Sequence, residues 1–319
     1  MTALSPLPPM GSGEIFLTEG GSETEIMFRH GFELPEFAMF PLLDSPRAVS
    51  AMRGIFSKQL DVAAEFGLSF LLTGLDYRAS PDWGAKLGYS PAALAEANIA
   101  AIDFLRDIAK GYEGQIPRLL VGGILGPRGD AYNLNREITA QSAEDYHAVQ
   151  LETLKSAGVD FACAMTFNNV AESVGAARAA AKIGVPLSVS LTLDHTFRLK
   201  SGPSLAEAIT GIDAETGGDA PDFYLLNCSH PLEYEPALED GDWIKRLRGV
   251  RPNASEMEKI ALCRLRHIED GDPVELGSQL GSLSERYPHM DIFGGCCGTG
   301  HVHLREFAKA IGKNQPGTT

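Results

Sequence analysis

The sequence of 319 residues is poor in cysteine and in positive charge, and it has no long apolar run. Its 5 cysteines are too few and too unevenly placed for a disulfide framework, and an odd count leaves at least one unpaired. Lys and Arg number 27 against 42 Asp and Glu, a formal charge of -15. With no basic run to offset that balance, a phosphate backbone would be repelled, so nucleic acid is not an expected partner. Nowhere do the ~18 consecutive apolar residues of a membrane span occur, so no membrane partner is expected. Met1 to Gly13 contain no Lys or Arg, which argues against a secretory leader. A cytoplasmic location with reduced thiols is the expectation. Glycine and proline, 34 and 19 residues, stay below the ~25–30% of low-complexity chains, and 44% apolar content is enough for a sizeable core.

No Ser/Gly linker or composition shift divides the chain, so a single domain over 1–319 is expected, with its core at about 14–312. Short apolar or β-branched runs alternate with longer amphipathic stretches. The strands are expected near Glu14–Thr18, Leu68–Thr73, Arg118–Ile124, Val159–Thr166, Pro186–Leu193, Phe223–Asn227, Ile244–Val250 and Asp291–Gly295. Helical periodicity covers Ala92–Lys110, Ala143–Ala157, Ala171–Lys182 and Ser255–Ile268. Eight βα units predict an α/β fold of the (β/α)8 TIM-barrel class with extended βα loops. An open doubly wound sheet competes, but the glycine fingerprint expected after its first strand is missing; Gly11-Ser12-Gly13 precedes a strand instead of opening a helix.

In a parallel barrel, reactive groups collect where strands end. The sixth strand stops at Cys228 and the eighth at Cys296-Cys297, so three thiols can converge above the barrel mouth. Three thiolates suit Zn²⁺ and leave a fourth tetrahedral position for an incoming thiol, which the metal would hold deprotonated. Attack by sulfur on an electrophilic carbon is the chemistry implied. Gly294, Gly295 and Gly298 would let the backbone bend enough to aim adjacent sulfurs at one ion. The plainer alternative is that these cysteines are small buried hydrophobes beneath a turn. Cys163, on the fourth strand, and Cys263, on a helical segment, fit packing. A disulfide between the adjacent Cys296 and Cys297 would be strained.

Gly294-Gly295-Cys296-Cys297-Gly298-Thr299, Asn227-Cys228 and Thr18-Glu19-Gly20-Gly21 resemble the zinc-dependent homocysteine S-methyltransferases. Val121-Gly122-Gly123-Ile124-Leu125-Gly126-Pro127 and Pro252-Asn253 extend the likeness across almost the whole barrel. The resemblance implies methyl transfer to a metal-bound thiolate, with Cys228, Cys296 and Cys297 as zinc ligands, homocysteine as acceptor and methionine as product. Chains of this length lack cobalamin and folate modules, so a small onium donor such as S-methylmethionine or betaine is implied. A barrel that binds zinc or thiols without methylating homocysteine is the alternative reading.

The sequence departs from the family at several implied substrate contacts. The first strand of family members usually ends in an aspartate before two glycines, where its carboxylate helps hold the amino acid's ammonium; here Glu19 precedes Gly20 and Gly21. Many members carry a glutamate before the fourth-strand threonine, whereas this chain has Met165-Thr166, losing a charged hydrogen bond of ~1.5–3 kcal/mol. After the second strand a common Asn-Thr-Tyr is replaced by Asp76-Tyr77-Arg78. Asp76 is a candidate to restore the missing charge, and Arg78 to bind a carboxylate through its planar fork. Tyr77 and Trp83 could offer aromatic faces to an onium donor, but packing over the barrel edge is the plainer reading. Asp194, His195 and His230 fit a hydrogen-bonding wall, since three sulfurs and a substrate already complete the tetrahedron. Alternating His301 and His303 fit the start of the last helix.

Overall fold

The computed structural model describes residues 9–312. Residues 1–8 and 313–319 of the single-domain reading, and with them most of the N-terminal segment, lie outside the described residues.

Eight parallel strands close into a barrel in chain order, with the first paired to the last. They are β1 (Phe16–Thr18), β2 (Ser69–Leu72), β3 (Leu119–Leu125), β4 (Phe161–Phe167), β5 (Leu187–Leu191), β6 (Phe223–Asn227), β7 (Leu247–Arg251) and β8 (Ile292–Phe293). Closure runs through Phe16 opposite Ile292 and Leu17 opposite Phe293. The pleat divides the apolar residues between two cores. Phe16, Leu71, Phe161, Met165, Leu225 and Ile292 fill the barrel, while Leu17, Leu72, Ala162, Ala164 and Leu226 face the helices. Each large side chain buried this way contributes ~1.5–3 kcal/mol.

The outer helices start and stop where their local chemistry directs. Ser45 accepts a hydrogen bond from Ala48 N and precedes Pro46, opening the Pro46–Phe66 helix, and left-handed Gly67 closes it. That helix buries Met52, Ile55, Phe56 and Leu60, a spacing of three and four residues that keeps one face on the barrel.

Two local departures from the expected elements position the site. The Ser255–Ile268 stretch forms a helix only over Lys259–Cys263; the outer helix after β7 comes later, at Pro273–Arg286. Its apolar periodicity serves to cover the barrel mouth instead of the barrel wall. On β7, Tyr224 pairs with Leu247 and Leu225 with Gly249, so Arg248 is an extra residue, a β-bulge. The bulge lets both Arg248 and Arg251 turn inward, Arg248 over the Phe223 ring and Arg251 toward Glu19. No helix among the described residues is long and apolar enough to cross a membrane.

Candidate metal and thiol site

Three sulfurs meet at the C-terminal end of the barrel, Cys228 from the end of β6 and Cys296 and Cys297 from the turn after β8, with their Sγ atoms within 4.8 Å of one another. Among the described residues this is the one cluster of metal-type ligands. Its soft anionic donor set fits Zn²⁺, and three protein ligands leave one position for a substrate. The Cys228 and Cys296 sulfurs are in disulfide-type contact, a pairing different from the adjacent-residue one weighed in the sequence. Burial, followed by the charge of Glu23, pushes the Cys297 thiol up to about 12, so metal entry must displace its proton.

The glycines of the turn act mainly through close approach. A Cβ at Gly294 would overlap the Thr18 side chain, and one at Gly295 the Thr299 hydroxyl. Gly298 alone of the three has a left-handed backbone, φ +82, as the sharp bend requires. Gly21 belongs to the same construction: its amide donates to Thr299 O at 3.0 Å, and a Cβ there would meet Cys296 O at 2.5 Å. Gly20 donates to Gln59 Oε1 at 3.1 Å. The first and last strand ends are thus pressed together beneath the cysteines.

Asn227 works behind the sulfurs and does not line the cavity above them. Its Nδ2 donates to Thr166 Oγ1 at 2.8 Å and to Cys228 Sγ at 3.2 Å. Its Oδ1 accepts from Thr166 N at 3.0 Å and Ser190 Oγ at 2.7 Å. The two residues it ties together, Thr166 at φ 63 and Cys228 at φ 54, have left-handed backbones that cost of order 1–3 kcal/mol each. Asn253 completes the clasp by donating to Cys228 O at 3.0 Å.

Glu19 lines the cavity, but its carboxylate is already engaged. Oε1 takes a hydrogen bond from Arg251 at 2.9 Å and another from the Thr73 hydroxyl, and Oε2 takes one from Thr73 N at 3.2 Å. Arg251 also donates to Glu19 O at 3.2 Å and Gly295 O at 3.3 Å. The guanidinium therefore joins β1, β7 and the cysteine turn.

Above the sulfurs lies a cavity of about 320 Å³. Glu19, Gly20, Gly21, Tyr77, Arg78, Met165, Thr166 and Asn253 all line it with Cys228, Cys296 and Cys297. Asp76 does not. It is fully buried behind the wall and accepts from Ile124 N at 2.9 Å, so it does not face the cavity; burial pushes its carboxyl up to about 7. Trp83 is also outside the lining. Its ring faces are covered by Arg78 at 4.0 Å and Lys86 at 4.1 Å, so packing against the protein's own cations replaces the onium cage. Tyr77 remains in the cavity, where burial raises its hydroxyl above the usual value.

The lining residues not anticipated as site residues include Glu23, Arg251 and Cys263. Arg251 ends β7, one residue beyond the expected strand, so inspection of true strand ends would have found it. Glu23 lies on the first turn of the Ser22–Phe28 helix, four residues after Glu19, and burial pushes its carboxyl up to about 7. Cys263, assigned to packing from its apparent helix, sits in the cover of the cavity because that helix does not extend. Cys163 is in the barrel interior, its thiol pushed up to about 11 by burial. Asp194 and His195 line a neighbouring cavity of about 220 Å³, His230 caps a short helix, and the last helix begins at His301.

A sequence profile for the family described as Homocysteine S-methyltransferase matches residues 16–311. No curated protein sequence matches the chain. Among solved structures, the chain is similar to the homocysteine methyltransferase MmuM from Escherichia coli. The metallated form is 18% identical with a TM-score of 0.69, over 94% of this chain and 96% of that one. The oxidized form is 20% identical with a TM-score of 0.72, over the same 94% and 96%.

Proposed function

The chain belongs to the homocysteine S-methyltransferase family, and on that premise we propose that it transfers a methyl group from a small onium donor, of the S-methylmethionine or betaine kind, to homocysteine held at a zinc site. The observation that carries this reading is the convergence of Cys228, Cys296 and Cys297 at one end of a cavity of about 320 Å³. Zn²⁺ bound by three thiolates would hold an acceptor sulfur deprotonated near neutral pH while leaving it nucleophilic.

The chain's own residues supply geometry. Asn227 aims Cys228, and Arg251 fixes the cysteine turn through Gly295 O. The covering segment, with Leu262 and Ile268 in the lining, reduces water around the reacting atoms. In the transfer, the acceptor sulfur forms a bond to the methyl carbon as the carbon–onium bond breaks. The bonding pair stays with the departing sulfur or nitrogen, which leaves neutral and needs no general acid.

Zinc needs Cys228 and Cys296 as separate thiolates, so the test is run under reductant. The protein is loaded with zinc, its metal content is measured, and labelled S-methylmethionine or betaine is supplied with homocysteine. Stoichiometric zinc and labelled methionine are expected. Cys296→Ala and Cys297→Ala should each weaken zinc binding by ~100-fold or more and abolish transfer. Full zinc occupancy in both variants would reject the ligand assignment. A zinc-loaded wild type that methylates no thiol would favour the alternative of a zinc- or thiol-binding barrel.

A further inference from the structure

Most charged groups that line the cavity have a charged or hydrogen-bonding partner within the protein. Glu19 is held by Arg251, Lys259 by Glu233 and His267 by Glu269. Asp130 accepts from Tyr132 N at 2.8 Å and Asn133 Nδ2 at 3.0 Å. Two groups, one acidic and one basic, are left with unmet hydrogen-bonding capacity. Glu23 has no side-chain partner among the described residues; its carboxyl is touched only by its own backbone N–H, and it lies within electrostatic reach of Cys297. Arg78 donates one Nη to Gly129 O at 2.9 Å and stacks on Trp83, yet its Nε is buried with no acceptor. Glu23 and Arg78 feel each other's charge without forming an ion pair.

We propose that Glu23 and Arg78 form a clamp for the two ends of a zwitterion, Glu23 accepting from the α-ammonium and Arg78 donating to the α-carboxylate of an amino acid whose side chain points to the three cysteines. The inference rests on the proposed placement of a thiol acceptor at those sulfurs. It also explains how Met165 can occupy β4 where a carboxylate is implied by the family, and how Glu19 can be spent on Arg251: the ammonium's partner comes from the helix after β1. A buried guanidinium edge is costly to leave without a partner, the half-buried Glu23 lines the same cavity, and the ammonium and carboxylate of one zwitterion offer a partner to each.

The test compares binding of three thiols to the zinc-loaded protein by calorimetry: homocysteine, 4-mercaptobutanoate, which lacks the ammonium, and 3-mercaptopropylamine, which lacks the carboxylate. Wild type should bind homocysteine ~10–100-fold more tightly than either analogue. Glu23→Gln should weaken homocysteine and the aminothiol but not mercaptobutanoate. Arg78→Met should weaken homocysteine and mercaptobutanoate but not the aminothiol. Zinc content and melting temperature establish that the variants are folded; if loss of the Trp83 stack unfolds Arg78→Met, the Glu23→Gln pattern decides. Equal weakening of all three thiols, or no preference for homocysteine in wild type, overturns the clamp. The crossed pattern without any methyl transfer would keep the clamp and reject the transfer reading, whereas transfer with no crossed pattern would do the reverse.

Discussion

The two ends of the barrel each bury an arginine–carboxylate pair built on the same strand, and the pairs do different things. At the N-terminal end, Arg248 grips Asp291 with Nε to Oδ1 at 2.8 Å and Nη2 to Oδ2 at 2.5 Å. At the C-terminal end, Arg251 meets Glu19 at 2.9 Å but also reaches the carbonyls of Glu19 and Gly295. Both pairs are dry, with side-chain exposures of 7% and 9% below and 6% and 3% above. The lower pair spends its guanidinium fork on one carboxylate and closes the barrel floor. The upper one spreads its donors over two chain segments and so fixes the turn that carries Cys296. The same chemistry is structural at one end and site-building at the other, as expected for a fold whose chemistry is confined to strand C-termini.

Breaking each pair separates these roles. Arg248→Met and Arg251→Met should both destabilise the fold by about 3–5 kcal/mol, because each leaves a buried carboxylate uncompensated; urea denaturation measures this. Only Arg251→Met should also weaken zinc, by ~10–100-fold, as loss of a group that orients a ligand does. Equal zinc affinities in the two folded variants would erase the proposed difference between the ends.

Asn227→Ala sharpens the comparison within the upper end. It releases Thr166 and Cys228 from a shared partner, so zinc affinity should fall ~10–100-fold while stability drops by about 1–2 kcal/mol. A stability loss with zinc affinity intact would confine Asn227 to holding β4 against β6.

A pH-dependent effect, with no change expected in zinc affinity, concerns Asp76, buried beside the site but outside it. Its carboxyl sits at about 7 in the fold against an ordinary value of 3.8, so between those values the unfolded chain loses a proton that the native state keeps. Stability therefore falls as pH rises from ~4 to ~7 and is flat above. Asp76→Asn does not titrate and can still accept from Ile124 N. Its advantage over wild type should be near zero at pH 4 and about 4 kcal/mol at pH 8. Parallel stability curves for the two proteins would show that Asp76 is ionised in the fold.

The barrel was readable because strand and helix periods are local. Phe223–Asn227 appears as expected, and Ala92–Lys110 differs by one residue at its start. Cys228 and Cys296-Cys297 were readable as a group because each directly follows an apolar run, which in a parallel barrel puts them at one end. Ser255–Ile268 misled because its periodicity reflects burial of one face, and a loop cover buries a face as a wall helix does. Asp76 was expected at the cavity from its place after the second strand, but nothing local tells whether a side chain turns toward the opening or into the wall.

Sequence alone thus determined the eight-unit alternation and the chemical type of the site, since hydrophobic period and residue identity are properties of the chain at each point. Which charges remain free could be decided only by the closed barrel. Arg251 reaches Glu19 across 232 positions of sequence, and that contact, made by β7 lying two strands from β1 in the ring, is what leaves Glu23 as the unpaired carboxylate above the cysteines.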